Sequence, residues 1–241
     1  MRVGMGNRSL VGNTYVLELD KISPEYKNIL IKFKDEWICR EIIIKNPYSG
    51  PCGVGRMGGA KTVDSNGKVK KSYNTWKGMI YRCYDQRDMN KYTTYRDCTV
   101  CDEWLCYANF ERWWNDNYYE ISNQEMNLDK DILFKGNKVY SPQTCVIVPQ
   151  NINLLFINRK TKRGNLPVGV SYYKRDKKYI ATLGELGEAH YLGLYDTPIE
   201  AFGVYKQAKE KYIKAVADEY KDKIPQKLYD AMYKWEIEID D

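Results

Sequence analysis

This 241-residue chain contains a single histidine and no long apolar run. The only histidine, His190, falls within a predicted β-strand, where we expect a surface position rather than that of a catalytic base. No stretch approaches 18 consecutive apolar residues, so the sequence predicts no membrane span. The N-terminal stretch MRVGMGNRSL lacks the apolar centre of a secretory signal. We therefore expect a cytoplasmic protein.

Cysteine occurs seven times, an odd number, without the paired spacing of a zinc site. In a reducing compartment such cysteines are thiols by default. Cys98 and Cys101 form one close pair, but a four-ligand zinc site needs a second close pair. Cys83, Cys106 and Cys145 occupy apolar-patterned positions and are predicted to be buried thiols. A structural zinc is therefore not expected.

Positive charge is concentrated in one segment. Residues 157–178 contain eight basic residues and one acidic residue, a net charge of +7, whereas the whole chain carries +6. Residues 179–241 contain eight lysines and thirteen acidic residues, a net charge of −5. A basic stretch interspersed with aromatic residues is typical of a nucleic-acid-binding surface. A solvated linker is the alternative interpretation.

The hydrophobic pattern predicts an α+β chain in three parts. Residues 1–50 form a small β-rich module with period-two segments TYVLEL, NILIKFK and WICREIIIK. Residues 51–157 begin with a loop rich in glycine and proline. Two helices follow between residues 73 and 119, with aromatic stripes that predict core positions. Residues 158–241 form the third part.

The third part combines a small sheet with helices. Its strands are predicted at residues 169–173, 178–185 and 189–195. A helix then begins with Thr197 as N-cap, Pro198 at its first position and Glu200 at its third, and runs to about Tyr220. A last helix is predicted over residues 225–234.

The segments GVSYY, KYIATL and HYLGLYDTPIEAFGVYKQA resemble an AP2 domain. The resemblance implies a three-stranded antiparallel sheet, backed by a helix, whose outward residues contact bases and phosphates in the major groove of double-stranded DNA. Tyr179 replaces the tryptophan that is usual in the second strand. Contact with another protein is the alternative use of this sheet. The candidate DNA-binding residues are Tyr172, Lys174, Arg175, Lys177, Tyr179 and Thr182, together with the basic residues Arg159, Lys160, Lys162 and Arg163.

The segments LDKDI, VYSPQTC and PQNIN resemble, in this order, the hairpin and helix of HNH (ββα-metal) nucleases. The wider run from Val54 to Lys234 resembles HNH endonucleases of phages and mobile elements that carry AP2 domains. This resemblance implies hydrolysis of DNA phosphodiester bonds with Mg²⁺ or another divalent metal. Asp129 corresponds to the metal ligand on the first strand, and either Asn151 or Asn153 to the ligand on the helix.

One position departs from the HNH pattern. Lys130 stands where the family has its histidine base, and Thr144 falls near the family's middle asparagine. A protonated lysine does not accept a proton, so our hypothesis is that Lys130 steadies a phosphate or leaving group. Asp131 or Tyr140 would then assist proton transfer. Three functions stay open: a site-specific endonuclease, an inactive DNA-binding regulator, and a phage inhibitor that acts on a host protein.

Overall fold

The computed structural model describes residues 8–11, 14–17, 50–85, 95–157, 164–185 and 187–241. Over these residues the chain is α+β with small sheets, as the sequence predicts. Within the same ranges, no helix is both long and apolar enough to cross a membrane. The predicted strands NILIKFK and WICREIIIK lie outside the described residues, as do Arg159, Lys160, Lys162 and Arg163.

The chain divides into two compact units. The first unit comprises residues 1–118 and 136–145, and the second comprises residues 119–135 and 146–241. The segment that resembles an HNH hairpin therefore contributes residues to both units.

Within its described residues, the first unit contains short strands and two α-helices. Its elements are β1 (Arg8–Val11), β2 (Thr14–Leu17), α1 (Lys71–Tyr84), β3 (Thr99–Val100), α2 (Tyr107–Asn117) and β5 (Val139–Tyr140). β1 and β2 form an antiparallel hairpin, and β2 lies within the predicted strand TYVLEL. β3 pairs in parallel with β5, and single turns of 3-10 helix occur at Pro51–Gly53 and Asp102–Leu105.

The aromatic stripes of α1 and α2 form the core of the first unit, as predicted. Trp76, Trp104, Tyr107 and Phe110 are all fully buried. The indole nitrogen of Trp76 donates a hydrogen bond to the backbone carbonyl of Trp104 at 2.6 Å. The Tyr107 hydroxyl lies 2.8 Å from that of Ser72, so the polar atom of this buried ring is also satisfied.

The second unit contains two small sheets and three helices. Its elements are β4 (Met126–Asp129), β6 (Val146–Pro149), α3 (Gln150–Leu155), β7 (Val170–Tyr173), β8 (Lys178–Glu185), β9 (Glu188–Tyr195), α4 (Pro198–Tyr220) and α5 (Gln226–Tyr233). β4 pairs antiparallel with β6, and β7, β8 and β9 form an antiparallel sheet in that order. The three predicted strands and two predicted helices at the end of the chain are confirmed within one residue at each boundary.

The pairing of β4 corrects one expectation. The sequence predicts a hairpin in which the strand after the polar turn, around Val139, pairs with the strand before it. Instead, Asp129 lies opposite Val146, and Val139 lies opposite Thr99. β6 is the more apolar partner, since all four of its residues are buried. Burial of that strand outweighs the short connection that a direct hairpin would have.

α4 begins with the predicted capping box. The Thr197 hydroxyl accepts a hydrogen bond from the Glu200 backbone N–H at 3.2 Å, and the Glu200 carboxylate accepts one from the Thr197 N–H at 3.2 Å. The helix buries Ala201 and Tyr205 in the same core as Ala181 of β8. One face of the three-stranded sheet is thus covered by its own helix.

Candidate functional site

Asp129 organises the turn that follows β4. Its Oδ1 atom accepts hydrogen bonds from the backbone N–H groups of Asp131 and Ile132, both at 2.7 Å. Burial raises the pKa of the Asp129 carboxyl, and the two N–H donors lower it in part. The residue expected to bind a metal therefore has one carboxylate oxygen engaged in holding the turn.

Lys130 is buried beside Asp131. The residue is only 6% exposed, and its Nζ atom lies 2.7 Å from both carboxylate oxygens of Asp131. An ammonium that donates to a carboxylate is a fixed cation and not a proton acceptor. The geometry therefore makes Lys130 a hydrogen-bond donor to both carboxylate oxygens of Asp131.

The two candidate asparagines lie on α3, which follows β6 directly. The Asn151 side chain is exposed, and its backbone N–H donates to the side-chain oxygen of Gln124 at 3.2 Å. Asn153 is half-buried. β4, which ends at Asp129, pairs antiparallel with β6, and α3 follows β6 along the chain.

Tyr140 and Thr144 belong to the first unit. Tyr140 is 2% exposed, and the Arg82 guanidinium lies 5.8 Å from the centre of its ring. Burial raises the pKa of the Tyr140 hydroxyl well above its usual range, and the charge of Arg82 lowers it in part. The Thr144 hydroxyl donates to the Val139 carbonyl at 2.7 Å, so it closes the local turn. Both side chains have structural roles in their own unit.

Carboxylates, cysteines and histidine do not converge within the described ranges, where no group of three or more His, Cys, Asp or Glu could hold a metal ion. Cys98 is buried and Cys101 is half-buried, and both carry thiols. Burial raises the pKa of the Cys101 thiol.

The three-stranded sheet has a core face and a free face. Val170 of β7 and Ala181 of β8 lie opposite each other and are buried against α4, so they define the core face. Because side chains alternate along a strand, Ile180 and Thr182 point to the other side. Ile180 lies between Ser171 of β7 and Leu194 of β9. We call the side of the sheet opposite α4 the free face.

This register corrects the prediction for Tyr179. The sequence predicts that it faces outward, but it shares the parity of Ala181 and packs against the core. Tyr172 lies opposite Tyr179, with ring centres 5.3 Å apart, and is 46% exposed at the margin of the core face. Thr182 does lie on the free face, as expected.

A β-bulge adds a residue that sequence reasoning missed. Ala181 lies opposite Gly193, but Thr182 lies opposite Tyr191, so Leu192 is the extra residue of β9. Leu192 packs against the core, whereas Tyr191 is 66% exposed on the free face beside Thr182. Strict alternation from Tyr195 would have assigned Tyr191 to the core face. The glycine at position 193 is the sequence signal for the bulge.

The turn between β7 and β8 carries the described cations of the basic segment. Lys174, Arg175 and Lys177 are exposed there. The Arg175 guanidinium lies 5.2 Å from the ring centre of Tyr173, and its Nε donates to Asp176 at 2.8 Å. This turn gives one end of the free face a positive margin. His190, near the opposite end, lies 3.4 Å from Glu185 and is about half-exposed.

Comparisons of the chain with protein-family models, with curated proteins and with solved structures find no match. A functional conclusion therefore depends on the geometry of these two places: the free face with its basic turn, and the β4–β6–α3 region around Asp129.

Proposed function

We propose that the protein binds double-stranded DNA with the free face of the β7–β9 sheet and the turn at residues 174–177. The observation that carries the proposal is a sheet whose helix covers one side, while the other side bears the exposed residues Ser171 and Tyr191 and has exposed cations at its margin. The AP2 resemblance of the same strands supports the same conclusion. A rigid sheet suits this task because the strands hold the side chains at fixed spacing.

Salt dependence of binding tests this proposal. Lys174→Gln combined with Lys177→Gln removes two cations from the turn. The slope of log affinity against log salt should fall by about 0.9 for each phosphate that the variant no longer neutralises. The matched control is Lys211→Gln with Lys214→Gln, since both of these lysines are exposed on α4. An equal loss of affinity in both double variants, or no DNA binding at low salt, would refute the proposed surface.

Metal-dependent cleavage of DNA is the second candidate function, and the β4–β6–α3 order favours it. Magnesium takes oxygen ligands, commonly one or two carboxylates together with waters. Asp129, through Oδ2, and the side-chain oxygen of Asn151 or Asn153 form a donor set of this kind. A bound Mg²⁺ would supply positive charge at the scissile phosphate.

Lys130 and Asp131 have different roles in this second candidate function. Lys130 is a fixed cation held by Asp131, suited to stabilising negative charge and not to removing a proton. Asp131 is the more exposed member of the pair, with 43% of its side chain accessible, and is our candidate to accept a proton from water. A site-specific endonuclease would combine this region with DNA binding by the sheet.

Plasmid nicking separates the two candidates. The protein is incubated with supercoiled plasmid and Mg²⁺, Mn²⁺ or EDTA, alongside Asp129→Asn and the control Asp222→Asn, which changes an exposed aspartate. Nicking that needs metal and is lost only in Asp129→Asn supports the endonuclease. DNA binding without nicking supports an inactive DNA-binding regulator. Absence of both favours a protein target, such as a host protein.

A further inference from the structure

The centre of the free face is apolar and hydroxylic. Ile180 lies opposite Leu194, and both are half-buried although neither belongs to the core cluster of the unit. The neighbouring cross-strand pair is Thr182 and Tyr191, so the next row offers two hydroxyl groups. Methyl groups and hydroxyls, and not charges, therefore form the middle of this surface.

The charged groups of the free face lie towards one end, where they are paired. Lys178 Nζ lies 3.0 Å from a carboxylate oxygen of Asp196. Arg175 donates to Asp176 and stacks on Tyr173. Bidentate recognition of guanine requires a guanidinium or ammonium group directed at the base edge. The central positions of this sheet have no such group, because they are Ser171, Ile180, Thr182, Tyr191 and Leu194.

Thymine is the base whose major-groove edge suits an apolar centre. Its C5 methyl group is an apolar feature of that edge, next to the O4 acceptor, and the minor groove shows no methyl group. A hydroxyl can donate to O4 or accept from the amino group of adenine. The exposed lysines of the turn are placed to meet the phosphates that flank the bases, which gives the surface charge complementarity to a polyanion.

We infer that Ile180 and Leu194 contact thymine methyl groups, and that the protein prefers duplexes containing A·T pairs under the centre of the sheet. Thr182 and Tyr191 supply the adjacent hydrogen bonds. This inference depends on the proposed DNA binding by the free face and names the base that the face recognises.

Replacing thymine by uracil in the DNA tests the inference without altering the protein. A duplex enriched from a random-sequence library by the full chain is resynthesised with uracil at every thymine, which removes only the C5 methyl groups. The dissociation constant should rise about fourfold for each methyl group that the sheet had buried, because burial of one such group is worth about that factor. Binding is followed by fluorescence anisotropy at fixed salt.

Two variants connect the effect to the sheet. Ile180→Ala combined with Leu194→Ala should bind the thymine and uracil duplexes equally, because both partners of the methyl groups have gone. Ile199→Ala removes an Ile that is 69% exposed at the start of α4 and should keep the full preference for thymine. Circular dichroism melting of both variants checks that each is folded.

Each remaining outcome has a definite meaning. Tight DNA binding that is equal for thymine and uracil overturns the inference and leaves the proposed DNA binding in place. Absence of binding to any duplex overturns both. A concentration-dependent dimer in sedimentation, abolished by Ile180→Ala, would show that a second copy covers this face and would also overturn the inference.

Discussion

The Nζ atom of Lys130 lies 2.7 Å from each carboxylate oxygen of Asp131, its neighbour in the chain. Lys130 is buried, whereas Asp131 is partly exposed, so the carboxylate lies between a buried cation and solvent. Lys130, which the HNH resemblance aligns with the family's histidine base, is the cationic half of an ion pair. This arrangement makes the turn after β4 a polar element whose stability depends on charge balance.

Asp131→Asn should lower the stability of the chain. The substitution keeps the size of the side chain but removes the negative charge that balances a buried ammonium. A loss of about 1–3 kcal/mol in the free energy of unfolding is expected for removal of one partner of such a contact. Urea unfolding monitored by tryptophan fluorescence measures it.

The matched comparison is the double variant Lys130→Met with Asp131→Asn. It removes the cation together with the anion, and replacing both members of a buried pair by groups of similar size is often nearly neutral. The double variant should therefore be more stable than Asp131→Asn alone. A double variant that is as unstable as the single one would contradict the importance of the pair.

Asp129→Asn should keep the turn and change its pH dependence. An asparagine oxygen can still accept the two backbone N–H groups. Because burial raises the pKa of Asp129, the folded chain holds this proton to higher pH than the unfolded chain does. The stability contributed by the group is thus fully present below the ordinary aspartate pKa and is lost as pH rises through the raised pKa. As pH rises through this range, Asp129→Asn should therefore become more stable relative to the unsubstituted chain.

Asp129→Ala is the control for the hydrogen bonds themselves. It removes the acceptor of both N–H groups and should be less stable than Asp129→Asn by about 1–3 kcal/mol at every pH. Unfolding curves at several pH values compare the three proteins. A stability difference between Asp129→Asn and the unsubstituted chain that stays constant with pH would rule out the raised pKa.

Gly193→Ala should disrupt the bulge in β9. Gly193 has a φ of +139°, and a Cβ atom there would lie 2.5 Å from the Tyr195 hydroxyl. That hydroxyl donates to the Leu192 carbonyl across the bulge at 3.0 Å. A backbone conformation of this kind costs a residue other than glycine about 1–3 kcal/mol. Thermal unfolding measures the loss, and DNA affinity should fall as Tyr191 loses its position.

Gly203→Ala, also a glycine-to-alanine substitution, should change stability in the opposite direction. Gly203 lies inside α4 with open space around its Cα, so alanine should raise the free energy of unfolding by about 0.5–1 kcal/mol. If both alanine variants changed stability in the same direction, the special role of Gly193 would be disproved.

Thr197→Ala should weaken the start of α4. It removes the hydroxyl that accepts the Glu200 N–H in the capping box, and loss of such a cap costs about 1 kcal/mol. Thr197→Ser retains the acceptor and should stay close to the unsubstituted chain. Chemical denaturation measures the stability of both variants. If Thr197→Ser lost as much stability as Thr197→Ala, the methyl group of the threonine, and not its hydroxyl cap, would be responsible.

The elements near the end of the chain were predictable because their signals are local. Alternation along β7 and β8 and the Thr197–Glu200 capping pattern depend on residues a few positions apart. The partner of β4 was not predictable in this way. Whether Asp129 lies opposite Val139 or Val146 depends on which strand gains more by burial, and that is decided by packing across the whole unit.

The candidate site was also predictable only in part. The HNH resemblance aligns Lys130 with a histidine, and the sequence shows that an aspartate follows it, but the burial of one and the exposure of the other come from the folded chain. The pattern also identifies the exposed cations of the β7–β8 turn, since a polar run between two strands must lie at the surface.

What the sequence by itself determined is the set of strands and helices, the concentration of positive charge, and the residues of the AP2-like and HNH-like segments. Tertiary structure decided which face each residue occupies. A single extra residue, Leu192, turns inward because it gains by burial, and this reverses the side of the sheet on which Tyr191 lies. Since side chains alternate with period two, a shift of one residue exchanges core and surface, and apart from Gly193 no local signal in β9 marks the shift.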